Sequence, residues 1–399
     1  MAVAENAINT EALFYRGGTD GPRRSLSELP LPARVLGGQQ TAYRASPPLI
    51  RAVNVALTLR MPLLLAGEPG VGKTELAAAL CADLGLNADT SLIRLTVNSD
   101  ASKENILYRF DELGRLRDVY RGKDKKDKDD ASLGADLPSA SSVVTSESAA
   151  TDAPISAYIA FVGLGRAILE AGGPTAPLQR LETVGRGGAR YREQLKCFQD
   201  LVEDSLPVRD TPPIVLIDEI DKAPRDLPND LLTELDLMQF DIPPLGVRVR
   251  LEDPSRWPIV IMTTNSERSL PEAFLRRCVF HHIDFPPQES RYPGDVTIGE
   301  IVRARLADIK AADTSFEDAL SFVENLRSQR GLSKRPATAE VLAWMRQLLD
   351  PQRSGRSPFA YLRDVPSEQL EASLGILLKS ANDLELGRNV LREWLTNSK

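Results

Sequence analysis

The chain has 399 residues. Single hydrophobic cores stop growing near ~250–300 residues, so a two-domain protein is expected. Lys and Arg number 49 against 56 Asp and Glu, a formal charge of -7 that argues against a general nucleic-acid binder and favours protein partners.

Cys81, Cys197 and Cys278 lie far apart, and His281 and His282 are the only histidines, so no zinc-type ligand spacing can be assembled. Reduced thiols and a cytoplasmic setting are expected. The first residues lack a basic region followed by an apolar one, and no run of about 18 apolar residues occurs. Neither export nor a membrane anchor is expected.

In chain order, residues 1–40 are rich in Gly, Pro and Arg and read as an irregular arm draped over the first domain. Behind Ser46 and Pro47, Leu49, Ile50, Val53, Ala56 and Leu57 recur at helical spacing, which predicts a helix over 46–60. It feeds a strand at 61–67, which breaks into glycines before an alanine-rich helix. Further β-rich apolar runs at 92–98, 213–218, 257–265 and 278–285 alternate with helical stretches. This is the pattern of an α/β protein with a parallel sheet.

From Gly122 to Pro154 the chain reads KDKKDKDD and then a Ser/Ala-rich tract, with no aromatic residue between Tyr120 and Tyr158. Such a segment cannot bury enough apolar surface to order itself, and a disordered insertion is expected. After Pro287 the strand signal vanishes and amphipathic helices are predicted near 296–311, 314–330, 337–350, 366–380 and 381–397. The organisation read from the sequence is an arm at 1–40, an α/β core at 41–288 and an all-helical domain at 289–399.

Gly67-Glu68-Pro69-Gly70-Val71-Gly72-Lys73-Thr74 fits G-x-x-x-x-G-K-[ST] between a predicted strand and a predicted helix, with Glu75 next on that helix. Glycines let successive backbone N–H groups turn toward phosphate oxygens, and the helix start adds its positive dipole end. Lys73 would neutralise the terminal phosphates, and Thr74 would offer a hydroxyl to Mg²⁺. A second run, Ile214 to Ile217, delivers Asp218 and Glu219 at its carboxyl end, where ligands of α/β folds sit. Asp218 would hold Mg²⁺, and Glu219 would orient and deprotonate an attacking water. Asn265, closing the 257–265 run, can reach a γ-phosphate or the lytic water.

Together, "GEPGVGKT", "VLIDEIDKAP", "IMTTN" and "LPEAFLRR", followed by a helical domain, resemble the AAA+ ATPases. The segments at 163–171, 218–236 and 269–287 are most similar to those of the MoxR family, and the likeness covers about residues 43–385. It implies a P-loop NTPase parallel sheet flanked by helices, with a C-terminal helical lid. It further implies ATP and Mg²⁺ as ligands, a ring that is typically a hexamer, hydrolysis at subunit boundaries, and chaperone-like remodelling or activation of a protein client, often beside a von Willebrand factor A domain partner.

By the same resemblance, Gly67 through Glu75 form the Walker A site, Asp218 and Glu219 are Walker B, and Asn265 is sensor 1. The Arg276–Arg277 pair supplies the arginine finger. Arg277 is the better match to an arginine that usually precedes an aromatic residue, although Cys278 follows it here. Arg335 is the sensor 2 arginine, with Lys334 as the alternative: the family usually has proline before that arginine, whereas here Lys334 precedes it and Pro336 follows. The insertion falls where the family carries a pore- or client-facing insertion, and a passive linker is the other reading.

Two rival functions remain open at this point. One is a nucleic-acid-directed AAA+ motor or loader, disfavoured by the acidic balance. The other is an ATP-dependent assembly switch that hardly hydrolyses. His281 and His282 read as packing or edge residues, and Trp257, Trp344 and Trp394 as core or interface anchors.

Overall fold

In the computed structural model, the described residues are 43–118, 154–181, 195–290, 293–307, 309, 313–350 and 361–397. The expected arm at 1–40 and, apart from Pro154, the insertion at 122–154 lie outside them. Two compact units are found, Ala45–Asp284 and the chain from Phe285 onward.

The first unit opens with helix α1, Pro47–Leu59, which has proline in its first turn, where a missing N–H costs nothing, and buries Leu49, Val53 and Ala56. Arg60 turns the chain in a left-handed conformation at φ 54°, and Met61 closes the helix by donating to the Ala56 carbonyl at 3.1 Å. Strand β1, Leu63–Gly67, is buried along its whole length because helices cover both faces.

The remaining strands are β2 (Leu92–Thr96), β3 (Tyr108–Phe110), β4 (Ile159–Phe161), β5 (Gln179–Arg180), β6 (Ile214–Asp218), β7 (Gln239–Ile242), β8 (Val247–Arg250), β9 (Ile259–Thr264) and β10 (Val279–Ile283). Five of them form one parallel sheet in the order β10-β1-β9-β6-β2. Its five members are the five runs expected from the sequence. The register sets Gly67 beside Ile283, Ala66 beside Thr264, and Asp218 beside Thr96, so the glycine loop and the acidic pair leave at the same edge of the sheet. Strand β10 lies at one side, which explains its alternating exposure and places the half-buried His281 and the exposed His282 at an edge.

Two small antiparallel sheets were not expected: β3 with β4, and β5-β8-β7. Their strands have two to four residues, too short for an alternating pattern to stand out. They are held by tertiary contacts, notably Tyr108, Phe161 and Phe240, whose ring centroids lie 6.2–6.4 Å apart. Helix α2, Lys73–Asp83, follows the glycine loop, and α3, Gly163–Gly172, packs beneath β2 and β6 with all but one residue buried. A Cβ on Gly165 would come within 2.0 Å of the Leu107 carbonyl oxygen, so only glycine lets α3 approach so closely.

The second unit consists of α4 (Ile298–Arg305), α5 (Asp313–Ser328), α6 (Thr338–Leu349), α7 (Ser367–Leu377) and α8 (Ala381–Asn397). A Thr297–Glu300 capping box starts α4. Trp344 and Trp394 pack on Phe322 at 5.5 and 5.7 Å between ring centroids, and the Trp344 indole N–H donates to Ser373 Oγ at 2.8 Å. Among the described residues no helix is long and apolar enough to cross a membrane.

Candidate functional site

The loop after β1 is shaped by backbone geometry that side chains resist. Gly67 has φ 147°, and a Cβ there would lie 2.5 Å from the Ile283 carbonyl oxygen on the neighbouring strand. Gly70 and Gly72 also have positive φ, 85° and 93°. Val71 is buried and pins the loop, whereas Glu68 and Pro69 are exposed. Gly72 starts α2 without a side-chain cap, leaving the first helical turn, with Thr74 and Glu75 exposed on it, to face a ligand rather than a capping oxygen.

Lys73 is 7 % exposed and turns back over this loop. Its three ammonium protons meet three acceptors: the Gly67 carbonyl at 2.7 Å, the Glu68 carbonyl at 3.1 Å and Asn265 Oδ1 at 2.8 Å. Burial pushes the Lys73 pKa below the usual lysine value, while Asp218, Asp221, Glu219 and Glu68 pull it back up. The site therefore holds a partly dehydrated cation, bonded to two carbonyls and an amide, with four carboxylates near enough to act on its charge.

The carboxylates are organised by β6 and β9. Thr74 Oγ1 donates to Asp218 at 3.2–3.3 Å. From the next strand, the buried Thr263 hydroxyl donates to Asp218 Oδ1 and accepts the Glu219 N–H at 2.9 Å. Glu219 sits in a left-handed conformation, φ 61°, which is uncommon for a side-chain-bearing residue. Its carboxylate receives Lys222 Nζ at 2.7 Å and lies 3.5 Å from Asn265 Nδ2. The pair of Thr74 hydroxyl and Asp218 carboxylate is a hard-oxygen set that suits Mg²⁺, an ion that binds through one or two protein oxygens and keeps most of its waters.

Lys73, Thr74, Asp218, Glu219 and Asn265 are thus brought together from the ends of three adjacent strands. Arg277 is half-buried, with its Nε donating to Asp236 at 2.5 Å and its Nη1 to the Ala273 carbonyl at 3.0 Å. Arg276 is 80 % exposed and meets Glu272 at 3.3 Å. Lys334 and Arg335 are exposed in the turn before α6, in the other unit. Sequence reasoning missed Thr263, Asp221 and Lys222. Thr263 shares a strand face with Asn265, two residues on, which is a signal that could have found it.

Residues 165–287 match the family model described as ATPase family associated with various cellular activities (AAA). This segment spans β6, β9 and β10 and begins after the glycine loop. No curated protein matches the chain. Among solved structures, domain III of the Thermotoga maritima replication initiation protein DnaA is similar at 11 % identity and a TM-score of 0.38, covering 86 % of this chain and 97 % of that one. The central five-stranded parallel sheet flanked by helices, the glycine loop after β1 and the C-terminal helices make up an AAA+ fold.

Proposed function

We propose that this chain is a MoxR-like AAA+ ATPase that binds ATP with Mg²⁺ and hydrolyses it to ADP and phosphate. The observation that carries the reading is the meeting, at one sheet edge, of Lys73 with Asn265, Thr74 with Asp218, and Glu219 with both β9 and Lys222. Lys73 would exchange its carbonyl acceptors for phosphate oxygens, a charge-assisted and stronger partnership. Thr74 and Asp218 would hold Mg²⁺, which when bound neutralises charge on the phosphates. Glu219 would take a proton from the attacking water, and Asn265 would orient that water or the γ-phosphate.

The wider proposal is a cytoplasmic hexameric ring that remodels or activates a protein client, with a von Willebrand factor A domain protein as candidate partner. Arg277 or Arg276 would reach a neighbouring subunit's nucleotide, and Arg335 or Lys334 would sense it from the helical unit. An arginine supplied in trans is worth about 10³–10⁵ in rate, which would tie activity to assembly.

The test is ATP hydrolysis per protomer against protein concentration, with Lys73→Ala as the blank. The proposal expects specific activity to climb and level off, the blank to stay flat, and Glu219→Gln to bind ATP without turnover. Turnover by Glu219→Gln at the unmodified rate would sink the assignment of the base. One observation favours a second reading, an ATP-dependent assembly switch: the carboxylate of Glu219 is engaged by Lys222. Assembly on ATP without hydrolysis above the blank would support it.

A further inference from the structure

One buried carboxylate lies beside this site without a part in the chemistry proposed for it. Asp221, in the short turn Ile220–Lys222 after Glu219, is 3 % exposed. Its Oδ2 accepts two backbone N–H groups from the chain leaving β9, that of Asn265 at 3.1 Å and that of Glu267 at 3.0 Å. Its Oδ1 is enclosed and meets no donor among the described residues. Burying a carboxylate with one oxygen unused is costly, so folding alone gives a poor reason for it.

The segment it grips needs gripping. Ser266, between the two donors, has φ 61°, a left-handed conformation for a residue with a side chain. Besides these two bonds, the turn is tied by the Ser266 N–H donating to Thr264 Oγ1 at 2.9 Å. The same segment carries Asn265, whose amide spans the gap between Lys73 Nζ at 2.8 Å and Glu219 Oε1 at 3.5 Å.

We propose that Asp221 is a positioning residue for hydrolysis: by clamping the Asn265 and Glu267 amides it sets the Asn265 side chain between the cation of the glycine loop and the carboxylate of Glu219. It acts on the reaction through Asn265 and touches no nucleotide. This inference rests on the ATPase reading above.

The experiment is a double-mutant cycle on the full chain, comparing Asp221→Ala, Asn265→Ala and the double variant. It reads kcat in steady-state hydrolysis and affinity with a fluorescent ATP analogue. Asp221→Ala is expected to lower kcat roughly 10–100-fold with affinity changed less than about threefold. The double variant is expected to be no slower than Asn265→Ala alone, since the clamp has nothing left to position. Asp221→Asn, which keeps an acceptor oxygen and loses the charge, is expected to recover most of the rate.

A double variant slowed by the product of the two single losses would overturn the proposal, as would Asp221→Asn behaving like Asp221→Ala. Should Asp221→Ala fold poorly, Asp221→Leu takes its place in the cycle, filling the buried site while removing the acceptor. If the unmodified chain turns over no more ATP than Lys73→Ala, the ATPase reading falls first. A working enzyme with an additive cycle removes the clamp alone.

Discussion

Replacing Thr263 by valine removes one hydroxyl at nearly constant shape, and the structure says what that hydroxyl holds. It accepts the Glu219 N–H at 2.9 Å and donates to the Asp218 carboxylate, with Thr263 1 % exposed. Losing a bond to a charged acceptor costs about 1.5–3 kcal/mol, and leaving an N–H without an acceptor costs about 1–3 kcal/mol where it is fully buried and less at the half-buried Glu219. Allowing for partial relaxation, the change sums to roughly 2–5 kcal/mol. In a unit of this size, at about 2–4 °C per kcal/mol, that is a fall of roughly 4–20 °C in Tm.

Glu219 also loses the bond that opposes relaxation of its left-handed backbone, so its carboxylate should drift. A displacement near 1 Å costs about 10²-fold in rate. Thermal unfolding followed by circular dichroism, with steady-state ATP hydrolysis on the same preparations, reads both effects. Thr263→Ser, which restores the hydroxyl, should recover most of each. A valine variant with unmodified Tm and unmodified turnover would refute the reasoning, because a buried hydroxyl with these two partners cannot then be holding either.

Gly165→Ala should destabilise the first unit by about 3 kcal/mol or more, because the new Cβ falls 2.0 Å from the Leu107 carbonyl oxygen and backbone must yield; urea unfolding checks this. Arg276→Ala and Arg277→Ala should separate a trans finger from a latch. The Arg277–Asp236 pair is more than a third exposed on both sides and contributes below ~1 kcal/mol, so a large rate loss in either variant with ATP affinity kept would identify the finger. Asp383 accepts the Ser333 hydroxyl at 2.5 Å and the Ser333 N–H at 2.8 Å, which hold its pKa below the ordinary aspartate value near 3.8. A depressed carboxylate pKa gives stability that is complete above the unfolded value and lost as pH falls through the folded one. Stability of the unmodified chain should therefore drop more steeply below about pH 4 than that of Asp383→Asn, and equal acid limbs would refute it.

Much of the fold was legible because its signals are local. The five sheet strands are short, largely apolar β-rich runs, and the boundaries found fall within about two residues of those runs. The C-terminal helices announce themselves by periodicity. Strands β3, β4, β5, β7 and β8 carry no such signal, because two to four residues owe their pairing to what packs on them.

The candidate site divides along the same line. From sequence alone came the residues whose chemistry is written in a short motif: the glycine loop with Lys73 and Thr74, the pair Asp218 and Glu219, and Asn265 closing its strand. Only the tertiary structure set β9 between β1 and β6. That placement brings Asn265 onto Lys73 across 192 residues of chain, and Thr263 and Asp221 onto partners 44–46 residues away. It also distinguished Arg277, tied to Asp236, from the exposed Arg276 beside it. A motif records which groups neighbouring residues offer, whereas strand order and register decide which groups from distant segments come within hydrogen-bonding reach of each other.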